Sequence, residues 1–141
     1  MDLIAPYELA RRAANWWIEN EHPGVVVNLG SVLGKGSGGR LRMPGYVAAK
    51  GGLHNLTRDL AVQWARKGIR VNTLAPAFFE TEMSSEAMFK TESGRTYIES
   101  GTPMGRGETD ELDGALLLLA SDASSYLTGH TLFVDGGWTA L

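Results

Sequence analysis

Tyr46-Val47-Ala48-Ala49-Lys50 opens the run that decides the fold, and Ile69-Arg70-Val71-Asn72-Thr73-Leu74 closes it. Between them, Leu53, Leu56, Leu60 and Trp64 recur at helical spacing, while Arg58, Asp59, Arg66 and Lys67 mark the opposite, wet side. That pattern predicts an amphipathic helix over about Tyr46 to Lys67. Gly68 is placed to end it in a left-handed cap. The β-branched run from Ile69 to Leu74 then reads as a strand, closed by Pro76.

The same alternation continues outward in both directions. Upstream, Leu3, Tyr7, Ala10, Ala14 and Trp17 share a helical period, so a helix is predicted from about Leu3 to Asn20. Pro6 falls in its first turn, where a missing N–H costs least, and His22-Pro23-Gly24 stops it. Val25-Val26-Val27-Asn28-Leu29 suits a strand buried on both faces, as in a parallel sheet. A glycine-rich loop, Gly30 to Gly45, leads to the central helix. Downstream, residues 79–107 lack a long period and predict short helices and loops. Thr109 is expected to cap a third helix running from Asp110 to about Ser121, with Asp110 and Glu111 complementing its dipole. Its Leu112, Leu116, Leu117, Leu118 and Leu119 are apolar enough to predict that most of its faces are covered. Gly129 to Val134 is the last strand. Helix, strand, helix, strand, helix, strand predicts an α/β layer of three parallel strands with right-handed crossovers, in one domain.

Bulk properties exclude several classes. The net charge is -3 and no basic stripe occurs, which argues against a nucleic-acid partner. The absence of cysteine removes disulfides and thiolate metal sites and fits a reducing cytoplasm. The longest purely apolar run, Ala115 to Ala120, is too short to cross a bilayer, and the first twelve residues carry charge without a signal-peptide pattern. His22, His54 and His130 show no metal-ligand spacing and read as structural or exposed. Trp16, Trp17 and Trp64 read as core or subunit-interface residues. Asn72 reads as a backbone pin near a strand end, and Arg95 and Arg106 as solvated surface groups.

Chemistry concentrates where the central helix begins. Tyr46 and Lys50 lie four residues apart and so share one helix face. A positive charge roughly 4–5 Å from a phenol, at an effective dielectric of about 20, favours the phenolate by roughly 3–4 kcal/mol. Desolvation offsets part of that gain. The balance brings a phenol toward the working range of a general acid/base. Ser31 ends the upstream strand in Asn28-Leu29-Gly30-Ser31, at the carboxyl end where parallel sheets bind ligands. Gly34-Lys35-Gly36-Ser37-Gly38-Gly39 satisfies G-x-G-x-x-G, with Asp59 about twenty residues on. The loop continues through Arg40 to Pro44 before any helix, and Asp59 falls inside that helix, so a mobile substrate-side loop is the better reading than a pyrophosphate site.

Taken in order, Ser31, Tyr46-x-x-x-Lys50, Asn72-Thr73-Leu74-Ala75-Pro76, Glu80-Thr81-Glu82-Met83, Ser121-Asp122-Ala123-Ser124 and Val134-Asp135-Gly136-Gly137 resemble the classical short-chain dehydrogenase/reductase family over essentially the whole chain. The resemblance implies a nicotinamide-dependent oxidoreductase, using NAD or NADP, that interconverts an alcohol and a ketone. It implies that Ser31 hydrogen-bonds the substrate oxygen and that Tyr46 exchanges a proton with it. Lys50 would bind the nicotinamide ribose and lower the tyrosine pKa, while Phe79 and Thr81 would hold the nicotinamide amide. Asp135 and its glycines would support the site and subunit contacts. A homo-oligomer, dimer or tetramer, is implied through the two long helices and the last strand. The segment Glu80 to Gly107 resembles members acting on sugar acids, polyols or 3-oxoacyl thioesters.

The pattern departs from the family in four places. Pro76-Ala77 stands for the usual Pro-Gly, the loop from Ser31 to Tyr46 is slightly longer, and Asp2 stands where the family has an asparagine. The chain also matches only the carboxy-terminal part of the family's doubly wound Rossmann-like fold. Residues 1–141 are therefore expected to be the catalytic portion of one such domain, with the adenosine-binding half and about four strands absent. The Val25–Leu29 strand is then expected to be an exposed apolar edge. Two readings remain open: an active half of an oxidoreductase, or a truncated, catalytically silent fragment acting through self-association or a complementing partner.

Overall fold

The computed structural model describes residues 2–81 and 89–141. Seven main elements follow in order: α1 (Ile4–Glu19), β1 (Gly24–Leu29), α2 (Pro44–Trp64), β2 (Ile69–Pro76), α3 (Glu92–Gly101), α4 (Asp113–Ala120) and β3 (Thr131–Val134). The strands form one parallel sheet in the order β1-β2-β3. This is the expected α/β layer of parallel strands alternating with helices.

β2 organises both faces of the sheet through its two-residue alternation. Ile69 and Val71 point into a cluster with Ala10 and Ala14 of α1 and Leu60 and Ala61 of α2, with Trp17, Val26 and Trp64 packed around it. Arg70 and Asn72 point the other way, toward the end of α4 and the segment that follows. The Arg70 guanidinium donates to the carbonyls of Leu119 and Ser121 and to Ser124 Oγ. Asn72 donates from Nδ2 to the Leu127 carbonyl and accepts at Oδ1 from the His130 N–H. Asn72 is thus the expected backbone pin. Thr73 returns to the α2 face, where its hydroxyl meets that of Thr57 at 2.7 Å, and Asn28 Nδ2 donates to the same Thr57 oxygen at 2.9 Å. These buried polar groups lock β1, β2 and α2 in register, because leaving any of them unpaired costs about 1–3 kcal/mol.

Element boundaries depart from the sequence reading at several ends. α2 starts at Pro44, with proline in the first turn, and its last turn tightens into a 3-10 turn over Ala65–Lys67. Gly68 follows at φ 74, the anticipated left-handed cap. Residues 92–101 form one of the short helices expected between Phe79 and Gly107, capped by Thr91, whose hydroxyl accepts from the Gly94 N–H. Thr109 is not a cap. Glu108 and Glu111 form a reciprocal capping box over a 3-10 turn, Thr109–Leu112, that precedes α4. The prediction that α4 is covered on most faces is corrected: Leu119 is fully buried, but Leu117 is 67% exposed and Leu116 and Leu118 are also exposed. α4 meets the sheet along β1 and β2. β1 lies at the sheet edge, and its Leu29 is 61% exposed, so the expected apolar edge is present.

Candidate active site at the carboxyl end of the sheet

β1 ends at Leu29, and the chain turns through Gly30 and Ser31 into a 3-10 turn, Val32–Gly34. Ser31 is buried, with extended backbone, and its Oγ accepts from the Leu33 N–H at 3.2 Å. The side chain therefore caps the turn that carries it, which holds the hydroxyl at the strand's carboxyl end. Val32 and Leu33 sink into a second apolar cluster with Phe78, Phe89 and Ile98, and Tyr46 and Val47 pack against it. This packing is what brings Ser31 and Tyr46 to the same end of the sheet.

One helical turn beyond Tyr46, the Lys50 ammonium stands 5.5 Å from the centroid of its ring. Its Nζ donates to the Leu29 carbonyl at 2.8 Å. Asp2 Oδ1 lies 4.0 Å away on the other side. Lys50 is buried, and that burial holds its pKa below the ordinary lysine value, with the Asp2 charge pulling the other way. A lysine ammonium has three donors. One is used by Leu29, leaving capacity for hydroxyl oxygens of a ligand.

Behind the pair, His54 is buried rather than exposed. Its ring meets Phe133 edge-on at 6.0 Å. Its Nε2 sits between Gly30 and Gly34, so close that a methyl at either position would meet it at 2.6 Å and 2.8 Å respectively. Burial, followed by the charges of Arg58 and Lys50, pushes the imidazole pKa down. The sequence left His54 as structural or exposed, and its seat against the Ser31 turn was not read from it. The signal available was the pair of glycines flanking Ser31.

The remaining candidates lie along the end of β2. The N–H of Ala77, which replaces the family glycine, donates to the Val134 carbonyl, tying this strand end to β3. Phe79 bridges in parallel to Gly107 and borders a cavity of about 210 Å³ shared with Ala77, Thr102, Arg106 and Asp135. Thr81 is exposed just beyond. Glu82 and Met83 of the same motif lie outside the described residues. Arg106 is engaged by Glu80 at 2.6 Å and Glu108 at 2.8 Å. Asp135 accepts from the N–H groups of Gly137 and Thr139 and from the Thr139 hydroxyl. It braces the final turn, and those donors hold its pKa below the usual carboxylate value despite burial.

The glycine-rich stretch from Gly34 to Gly39 lies across two 3-10 turns, Val32–Gly34 and Gly39–Leu41. It does not open a helix directly after a strand, so it lacks the geometry of a pyrophosphate cradle. Lys35 instead donates to the Thr139 carbonyl and lies over the Phe133 ring at 5.4 Å.

Residues 1–139 match the family described as Enoyl-(Acyl carrier protein) reductase. The chain belongs to the short-chain dehydrogenase/reductase family. It is similar to galactitol 2-dehydrogenase (L-tagatose-forming) of Cereibacter sphaeroides, 47% identical over 82% of this chain and 46% of the relative. Gluconate 5-dehydrogenase of Gluconobacter oxydans is 42% identical over 82% of this chain and 44% of the relative. The crystal structure of a gluconate 5-dehydrogenase from Burkholderia cenocepacia, in complex with NADP and tartrate, superposes with a TM-score of 0.92 at 38% identity. That match covers 99% of this chain and 54% of the other. The chain thus spans about half the length of the short-chain dehydrogenase/reductase relatives it matches. Among the described residues, no helix is long and apolar enough to cross a membrane.

Proposed function

We propose that this chain is the proton-transferring, substrate-side portion of a single short-chain dehydrogenase/reductase domain in an NAD- or NADP-dependent oxidoreductase. It would interconvert an alcohol and a ketone in the cytoplasm. The observation that carries this reading is the Tyr46–Lys50 pair: an ammonium 5.5 Å over a tyrosine ring, anchored on the last carbonyl of β1. Small polyols and sugar acids are the substrate class, supported by the names of the relatives that act on galactitol and gluconate.

The nicotinamide cofactor supplies the hydride acceptor or donor when bound. The residues present fit its nicotinamide-ribose end. Lys50 has donors to spare for ribose hydroxyls, and Phe79 and Thr81 follow the end of β2, where the amide would be held by backbone and hydroxyl groups. Ser31 accepts the Leu33 N–H and keeps its hydroxyl proton to donate to the substrate oxygen. Tyr46 takes the alcohol proton in oxidation and returns it in reduction. The Lys50 ammonium stands beside Tyr46 during that transfer. The exposed leucines of α4 and apolar residues of α1 such as Ile4, Leu9 and Trp16 would be covered in a homo-oligomer, a dimer or tetramer.

The experiment is turnover of galactitol and gluconate with NAD and NADP by the parent full-length enzyme, wild type against Tyr46→Phe. Loss of about 100-fold or more is expected, the usual scale for removing a positioned proton carrier, with cofactor binding retained. Unchanged turnover would sink the assignment. The exposed outer edge of β1 favours a second reading, in which the chain pairs with a complementing polypeptide and is silent alone.

A further inference from the structure

His54 is a buried ionisable group that proton transfer at Tyr46 does not use. It lies one turn of α2 beyond Lys50, and its Nε2 is enclosed with no hydrogen-bond partner among the described residues. The ring stands under the turn that carries Ser31. An added methyl at Gly30, on one side of Ser31, would meet Nε2 at 2.6 Å. One at Gly34, on the other side, would meet Cε1 at 2.6 Å. Glycine at both places lets the backbone come down onto the imidazole.

Neither surface can draw back. Three residues after His54, Thr57 ties α2 to Asn28 and Thr73 through buried hydrogen bonds. Phe133 of β3 lies edge-on to the ring at 6.0 Å. The turn is also bonded to itself. The Leu33 N–H donates to Ser31 Oγ at 3.2 Å, and the Gly34 N–H donates to the Ser31 carbonyl at 2.9 Å. The imidazole is thus the floor on which the Ser31 hydroxyl is set.

An imidazolium carries an N–H donor on both ring nitrogens. At Nε2 that donor would face glycine backbone with no acceptor in reach, and a buried, unpaired charged donor is costly. Neighbouring charge adds to the cost. On α2 the charged groups that act on the ring are Lys50 and Arg58, both cations. Residues 30–34 of the turn contain no group that titrates near neutrality, and neither do Thr73 of β2 and Phe133 of β3. Over the Phe133 ring stands a further cation, Lys35. Asp2 lies 4.0 Å from the Lys50 ammonium.

We propose that His54 is a positioning residue for Ser31: its unprotonated ring seats the Gly30–Gly34 turn, and a proton on the ring unseats it and withdraws the Ser31 hydroxyl. The functional half rests on the reading of Ser31 given above, whereas the seating of the turn does not. Burial and the two α2 cations lower the proton affinity of the ring. The change therefore falls on the acid side of the ordinary imidazole value of about 6.5.

Two measurements test this. In the 141-residue chain, hydrogen exchange of the Leu33 and Gly34 amides is followed against pH, corrected for intrinsic rates, beside the His54 titration read from its Cε1 carbon shift. Both amides are expected to lose protection as the ring takes up its proton, by up to about tenfold per pH unit, the slope that one proton allows. The Gly30 N–H, which donates to the Leu74 carbonyl at 2.7 Å, should keep its protection. This arm needs no variant. In the parent full-length enzyme, ketone reduction is the direction to follow, because low pH keeps the Tyr46 hydroxyl protonated for its own step. Its kcat is expected to fall over the same acid range in wild type, and the fall should vanish in His54→Gln, whose amide takes up no proton there. An identical acid limb in His54→Gln, or unchanged amide protection while the ring titrates, overturns the positioning role. If Tyr46→Phe retained turnover while the amides still lost protection with the ring, the proton-transfer reading would fail and the seating of the turn would stand.

Discussion

Adding one methyl at Gly34 tests how the catalytic turn is held against α2. A Cβ at this position would meet His54 Cε1 at 2.6 Å, His54 Nε2 at 2.8 Å and the Lys50 carbonyl carbon at 2.8 Å. The last is helix backbone and cannot swing aside. The imidazole cannot retreat either, because Gly30 already approaches its Nε2 from the other side and Phe133 lies against it. Gly34 has no left-handed φ, so alanine brings no backbone strain of its own and the clash alone decides. Overpacking of this kind costs about 1–3 kcal/mol, which lowers Tm by roughly 3–10 °C in a chain of this size. Gly36 is the internal control: it lies in the same loop with nothing within 4 Å of an added Cβ. Gly36→Ala should be neutral or gain up to about 1 kcal/mol from the stiffer unfolded chain. Denaturant midpoints of both variants against wild type provide the assay. If Gly34→Ala were as stable as Gly36→Ala, the turn would not be seated on His54 and Lys50 as described.

Two further outcomes follow from the same geometry. His54 is held below its ordinary pKa by burial and by two nearby cations, so its contribution to stability is fully present above about pH 6.5. It is lost as pH falls through the lower, folded-state value, because the unfolded chain then binds the extra proton; urea midpoints measured against pH should show this fall, and His54→Gln should flatten it. The isolated 141-residue chain should bind NADH or NADPH weakly, because among the described residues no glycine turn links a strand directly to a helix N-terminus for the pyrophosphate. Fluorescence titration of the reduced nucleotide measures this, and tight stoichiometric binding would contradict it and remove the case for a complementing partner.

The locally coded features were legible. Helical spacing put Tyr46 and Lys50 on one face, Gly68 marked the end of the helix, and β-branched runs marked β1 and β2. All depend on neighbours a few residues apart. The α3 helix was expected only as one of several short elements between Phe79 and Gly107, because Glu92–Gly101 is brief and buries only Ile98. The leucines of α4 misled for the opposite reason: apolar composition states a demand for burial, not whether this chain meets it.

Local patterning alone fixes the alternation of helices and parallel strands, and the Tyr46–Lys50 face with Ser31 at a strand end. Packing across the sheet sets the company those groups keep. Lys50 takes the Leu29 carbonyl and Asp2 as partners, and Ser31 accepts the Leu33 N–H. His54 fills the space that Gly30 and Gly34 leave open. The reason is one of range. Backbone periodicity and capping act within a turn or two of helix, whereas a buried charge selects its partners from whatever the sheet order and the helix packing bring within a few ångströms.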